Sequence, residues 1–219
     1  GEADTLAAKY AIPKVYTNYE ELLENPEIDF VYVGLINSVH YDYTKKALLA
    51  GKNVIVEKPF ALAAREVQEI KELALEKGLY VFEAVTLHYL PNMAAIKENL
   101  PKLGKIKAVA ANYSQYSSRY DKYLQGEVLP AFDPERGGGA LYDINIYNLN
   151  LIIGLFGAPE SVSYTANLGF NGIDTCNILI FLLLPSAQKI RKARVMPRFK
   201  AKRDTSRLRI PPTNCVPLK

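Results

Sequence analysis

A chain of 219 residues with 49% apolar and 23% charged side chains has ample material for a folded core, which excludes wholesale disorder. Its apolar runs stop well short of the roughly 20 residues of a membrane helix, so no membrane span is expected. The net charge of +4 is unevenly placed: residues 181–219 carry eleven Lys or Arg against the single acid Asp204, and the first 180 residues sum to −6. Cys176 and Cys215, two and far apart, suggest neither a disulfide framework nor a cysteine metal site and read as ordinary thiols. No metal ligand set is expected. Gly1-Glu2-Ala3-Asp4 lacks the basic start and apolar core of a secretory signal, so the cytoplasm is the expected location.

In chain order, residues 6–10 read as the end of a helix, and Thr17 with Glu20 three residues on forms a capping box for a short helix through Leu23. Residues 28–35 are β-branched and aromatic, as suits a buried parallel strand. Helix signals over 41–50 stop at Gly51, residues 53–57 form the next strand, and Lys58-Pro59 is its exit. A helix over 63–77 carries Val67, Ile70, Leu73 and Ala74 on one face and ends at Gly78, and 79–83 is strand again. This β-α-β-α-β alternation predicts an α/β fold, a partial Rossmann-type doubly wound parallel sheet over residues 1–84.

Past Ala84 the pattern changes. A helix over 91–100, a strand-like 106–114, a long polar loop to Arg136, a helical stretch from Gly137-Gly138-Gly139 through Leu155, and strand-like 161–168 and 175–184 predict an incomplete α+β domain with a mainly antiparallel sheet over 85–184. The basic, proline-rich 185–219 has no alternation that could form a buried face and is expected to be disordered.

Ligands of a doubly wound sheet sit beyond the carboxyl ends of its strands, which directs attention to three polar loops. The first holds Asn37-Ser38-Val39-His40, the second Glu57-Lys58-Pro59, and the third Thr86, His88 and Tyr89. Pro59 stiffens the strand exit, so the Lys58 ammonium can project towards a ligand, hydrogen-bond a hydroxyl and stabilise alkoxide character. Asn37 can cap the helix that follows. Asp143 and Tyr147, four apart on a helix, share a face, and a phenol with a lowered pKa can carry a proton. Tyr113, Tyr116, Tyr120 and Tyr123 offer hydroxyls to a sugar or ordinary packing.

A strand ending in Glu-Lys-Pro, preceded by Asn-x-x-His and followed by Gly-Gly-Gly-Ala-Leu-x-Asp, each on its expected element, resembles the Gfo/Idh/MocA oxidoreductase family over residues 1–184. The resemblance implies hydride transfer between a secondary alcohol of a sugar or polyol and NAD or NADP. It makes Lys58 the active-site lysine and sets Asn37, His40, Glu57 and Lys58 along the cofactor. It gives Asp143 and Tyr147 catalytic and substrate-binding roles, with Tyr147 where the family usually has His and Asn145 where Gly is common. His88 falls where many members have an Arg that lines the substrate pocket.

The same resemblance implies a homo-oligomer in an intact parent, and a first β-α-β with a glycine-rich phosphate turn that these 219 residues do not contain. The chain therefore reads as truncated, with residues from about 181 out of frame, and its activity as a fragment stays open. Two other readings stand beside the enzyme: a catalytically dead binding or interaction protein, and a binder of nucleic acid or anionic surfaces through the basic tail. That tail has no folded recognition motif and Phe199 as its one aromatic, which weighs against the last.

Overall fold

The computed structural model describes residues 1–183; the basic segment and Cys215 lie outside the described residues. The chain divides into two compact units, one made of Gly1–Leu35 and Val39–Glu83, the other of Ile36–Ser38 and residues 84 onward.

The first unit contains α1 (Glu2–Tyr10), α2 (Tyr19–Glu24), β1 (Phe30–Val33), α3 (His40–Leu49), β2 (Asn53–Val56), α4 (Ala64–Lys77) and β3 (Val81–Glu83). The strands form a parallel sheet in the order β1-β2-β3, with Val31 beside Val54 and Val54 beside Val81. Alternation along the strands turns Val31, Val33, Val54 and Val56 into a core with Ala47 and Leu48 of α3, Ile70 and Ala74 of α4, and Leu23 of α2. Each large side chain fully buried there stabilises by about 1.5–3 kcal/mol. The opposite positions, Phe30, Tyr32 and Phe82, are exposed.

Gly78 ends α4 as expected, in the left-handed region at φ 66°. The apolar face of α4 is narrower than its periodicity predicts, because Val67 is 40% exposed. The cap of α2 also differs: Asn18, not Thr17, is the N-cap, its Oδ1 accepting the Glu20 and Glu21 amides at 2.8 and 3.4 Å. Asn serves that role at least as well as Thr, and the helix starts one residue later.

Tyr19 of α2 donates its hydroxyl to the Tyr43 carbonyl at 2.9 Å. Burial, then the neighbouring Tyr43 and Glu20, pushes this phenol up to about 12. A raised folded-state pKa means that the contribution of Tyr19 is full below its ordinary value of 10.0 and drains as pH rises towards 12. Tyr19→Phe should therefore reduce the alkaline fall in stability, seen by comparing urea midpoints of the two proteins at stepped pH.

The second unit contains α5 (Pro91–Asn99), α6 (Tyr120–Leu124), a π turn (Leu141–Asn145), α7 (Ile146–Phe156), β4 (Ser161–Leu168) and β5 (Asp174–Leu182). β4 and β5 pair antiparallel, Ser161 opposite Leu182 and Thr165 opposite Ile178, with an irregularity at Asn167/Leu168. The strand expected over 106–114 does not form; an isolated bridge at Ala111 is all that the segment makes. Its strand-like composition finds no neighbouring ladder among the described residues, and a strand needs one for its backbone groups.

Tyr123 is core rather than a sugar-facing hydroxyl. It is 1% exposed, its ring stacks on Phe132 and Phe170 with centroids 4.8 and 4.4 Å apart, and its hydroxyl donates to Asn171 Oδ1 at 2.7 Å. Cys176 on β5 is disulfide-bonded, which corrects its reading as an ordinary thiol. Among the described residues no helix is long and apolar enough to cross a membrane.

Candidate functional site

In the first unit the segment leaving β2 is braced by backbone and side chains together. The Glu57 amide donates to the Val33 carbonyl at 2.9 Å, extending the β1–β2 ladder into the motif. The Glu57 carboxylate accepts the Lys58 amide at 3.1 Å and also the Tyr32 hydroxyl, a bond that, ahead of burial, raises the Tyr32 pKa. Glu83, at the end of β3, accepts the Phe60 amide at 2.9 Å. The Lys58–Pro59 peptide is cis, Pro59 is buried and Lys58 is half-buried.

His40, at the start of α3, is fully buried, with Nδ1 2.8 Å from the Pro59 carbonyl and Nε2 3.0 Å from the Leu35 carbonyl. Both partners are acceptors: a neutral imidazole satisfies one, an imidazolium both. The ring thus ties the exit of β2 to the exit of β1. Expected beside a cofactor, it is engaged with backbone on both sides. His40→Asn, able to reach at most one carbonyl, should lower stability by about 1–2 kcal/mol, read from the shift of the urea midpoint.

In the second unit, Asn37 does not cap α3, whose N-cap Val39 makes no side-chain bond; its amide donates instead to the Gly137 carbonyl at 2.8 Å. Gly137, Gly138 and Gly139 are buried and lead into the π turn that carries Asp143. Tyr147 follows on α7, its ring tilted against that of Tyr113 with centroids 5.1 Å apart, and both Asp143 and Tyr147 are half-buried. The step between them crosses from a π turn to an α-helix, not the regular helix that the four-residue spacing assumes. Single π turns within helices occur often at functional sites.

His88 is exposed and pairs with Asn150, its Nε2 3.0 Å from Asn150 Oδ1. The Asn150 amide nitrogen donates to the Ile146 carbonyl at 3.0 Å, which leaves its oxygen to accept the ring N–H. Both line an open, mostly apolar cavity of about 260 Å³ with Ile146, Leu149, Ile153 and Gly154. Asp143 and Tyr147 do not line it, so this cavity does not unite His88 with the expected proton carriers. Sequence reasoning passed over Asn150, Glu83 and Asp174, whose partners are distant in the chain.

Residues 1–85 match the Gfo/Idh/MocA family model described as an oxidoreductase family with an NAD-binding Rossmann fold, and residues 99–183 match the Gfo/Idh/MocA C-terminal domain. Over 179 residues the chain is 37% identical to the uncharacterized oxidoreductase YgjR of Escherichia coli (strain K12), a match covering 82% of this chain and 55% of YgjR. Over 172 residues it is 35% identical to scyllo-inositol 2-dehydrogenase (NADP(+)) IolU of Bacillus subtilis (strain 168), covering 78% of this chain and 52% of IolU. Among solved structures, GenD2 from gentamicin A biosynthesis in complex with NAD shares the fold, with a TM-score of 0.70 at 22% identity over 83% of this chain and 52% of GenD2. The chain spans about half the length of the curated relatives it matches. Motif order, parallel sheet and both family models agree: the chain belongs to the Gfo/Idh/MocA oxidoreductase family.

Proposed function

We propose that the protein carrying this chain is an NAD(P)-dependent dehydrogenase that oxidises a secondary alcohol of a polyol or sugar-like substrate. The observation that carries the reading is the exit of β2, where His40, Glu57 and Glu83 hold the backbone on either side of Lys58 in a chain of this family. Similarity to IolU, whose name specifies scyllo-inositol and NADP(+), supports a polyol substrate.

The braced loops beyond the carboxyl ends of parallel strands suit the nicotinamide end of a dinucleotide. No G-x-G-x-x-G turn occurs in these 219 residues, so they supply no pyrophosphate cradle of that kind. When bound, the dinucleotide supplies the hydride acceptor. Lys58 hydrogen-bonds the reacting hydroxyl and stabilises the negative charge that grows on its oxygen as the C–H bond breaks. The hydroxyl proton passes to Tyr147, or to solvent through Asp143. Glu57 and His40 serve the cofactor side by fixing the loop that carries Lys58, Asn37 serves it from the loop after β1, and His88 contributes to substrate binding.

Cofactor titration tests this. Reduced-nicotinamide fluorescence should rise on adding the 219-residue chain preceded by a family-type glycine-rich β-α-β segment, and rise less with the chain by itself. No rise with either protein would contradict the dehydrogenase reading. In the active polypeptide, Tyr147→Phe should lower kcat by about 100-fold or more with little change in melting temperature. An unchanged kcat would remove Tyr147 as the proton carrier.

A further inference from the structure

Asp174, the first residue of β5, has no assigned role above, yet its carboxylate is fully engaged. Oδ2 accepts the Leu141 amide at 2.7 Å and the Asn177 side-chain amide at 2.8 Å, and the carboxylate charge also acts on the Tyr164 phenol. Burial, then the Asp174 charge, pushes that phenol up to about 12. Oδ1 lies so close to Gly139 that a Cβ there would stand 2.0 Å from it.

These contacts converge on one short segment. Leu141 is the first residue of the π turn and Asn145 the last. Asn177 Oδ1 accepts the Asn145 side-chain amide, and Asn145 Oδ1 accepts from Asn148 at 2.8 Å, one turn further on. A single carboxylate on β5 therefore grips the front of the turn directly and its rear through Asn177. Asp143 stands midway between the two grips, and Tyr147 lies two residues past the rear one.

We propose that Asp174 is a positioning residue: through the Leu141 amide and the Asn177–Asn145 pair it holds the π turn, and with it the directions of Asp143 and Tyr147. The inference rests on the dehydrogenase reading for its catalytic consequence, though not for the grip itself. A π turn is a rare local departure from α geometry, here held at both ends from β5, and any change in that turn would rotate Asp143 relative to Tyr147. An ionised acceptor makes the stronger kind of hydrogen bond, and a carboxylate at the front of a helix also meets the positive end of its dipole.

The test uses the complete polypeptide that contains these residues, with Asp174→Ala, Asp174→Asn and Asn177→Ala. Asp174→Ala should lower kcat about 10–100-fold with KM for the cofactor nearly unchanged, Asn177→Ala should lower it less, and Asp174→Asn, which keeps an acceptor, should be partly rescued. The pH profile of kcat should move in all three, and amide hydrogen exchange should quicken at 141–147 before it quickens elsewhere. An unchanged kcat, or a loss that only follows the folded fraction through a thermal melt, overturns the proposal. If Asp174→Ala does not fold, Asn177→Ala decides by the same readouts. If the wild-type protein reduces no cofactor with any alcohol, the dehydrogenase reading fails and exchange decides the grip: local quickening in Asn177→Ala upholds it, and wild-type protection overturns it.

Discussion

Lys58→Ala is expected to lower alcohol-dependent reduction of NAD(P)+ by about 100–1,000-fold while the melting temperature moves by no more than about 2 °C. The asymmetry follows from how the loop is built. Its backbone is held by Glu57 to Val33, by His40 to Pro59 and by Glu83 to Phe60, and none of these bonds uses the lysine ammonium. Truncating the side chain leaves those backbone bonds in place and removes the cation proposed to meet the developing alkoxide. Lys58→Arg keeps the charge but replaces a compact ammonium by a planar fork, so it should recover only part of the loss. Initial rates and thermal melts on the same preparations check both halves of the prediction, and a wild-type kcat in Lys58→Ala would take this residue out of the chemistry.

Gly138→Ala should be destabilising by about 2–3 kcal/mol, or roughly 5–10 °C in melting temperature. A Cβ at this position would lie 2.7 Å from the carbonyl oxygens of both Ala131 and Pro130 and 2.8 Å from the Ala131 carbonyl carbon. These are backbone atoms and cannot swing aside as a side chain can. They are also tied to the glycine run, since Gly138 donates to the Asp133 carbonyl and Gly139 to the Ala131 carbonyl, each at 2.9 Å. Relief of the clash must lift the 130–133 segment away from the start of the π turn. Activity should fall further than the folded fraction in this variant, and calorimetry alongside kcat separates the two losses. A melting temperature within about 1 °C of wild type would mean that the segment yields at no cost.

Local signals made the first unit legible. Valine recurs at every second position of β1 and β2, Gly51 and Gly78 stop α3 and α4, and the links are short, so the parallel order follows from chain sequence and handedness. Where the outcome turned on distant partners, the residues alone were silent. The composition of 106–114 is that of a strand, but composition does not supply the neighbour that a strand requires. His40 was visible as a candidate, while the direction of its ring depended on carbonyls at Leu35 and Pro59.

Glu83 and Asp174 look like ordinary strand-end carboxylates. Their significance lies in amides 23 and 33 residues away, which no pattern within a strand announces. The π turn was hidden for the same reason. The 141–155 sequence reads as one continuous helix, and the wide turn lies where β5, through Asp174 and Asn177, grips its two ends.

The most direct test of a dehydrogenase built around Lys58 is hydride transfer itself. The purified polypeptide that contains this chain would be incubated with NAD+ or NADP+ and a panel of inositols and pyranose sugars, with the absorbance of the reduced nicotinamide followed in time. A saturable, alcohol-dependent rise with at least one substrate, abolished in Lys58→Ala while the cofactor still binds, is the predicted result. A flat trace with every alcohol, in a protein shown to bind the cofactor, would contradict it.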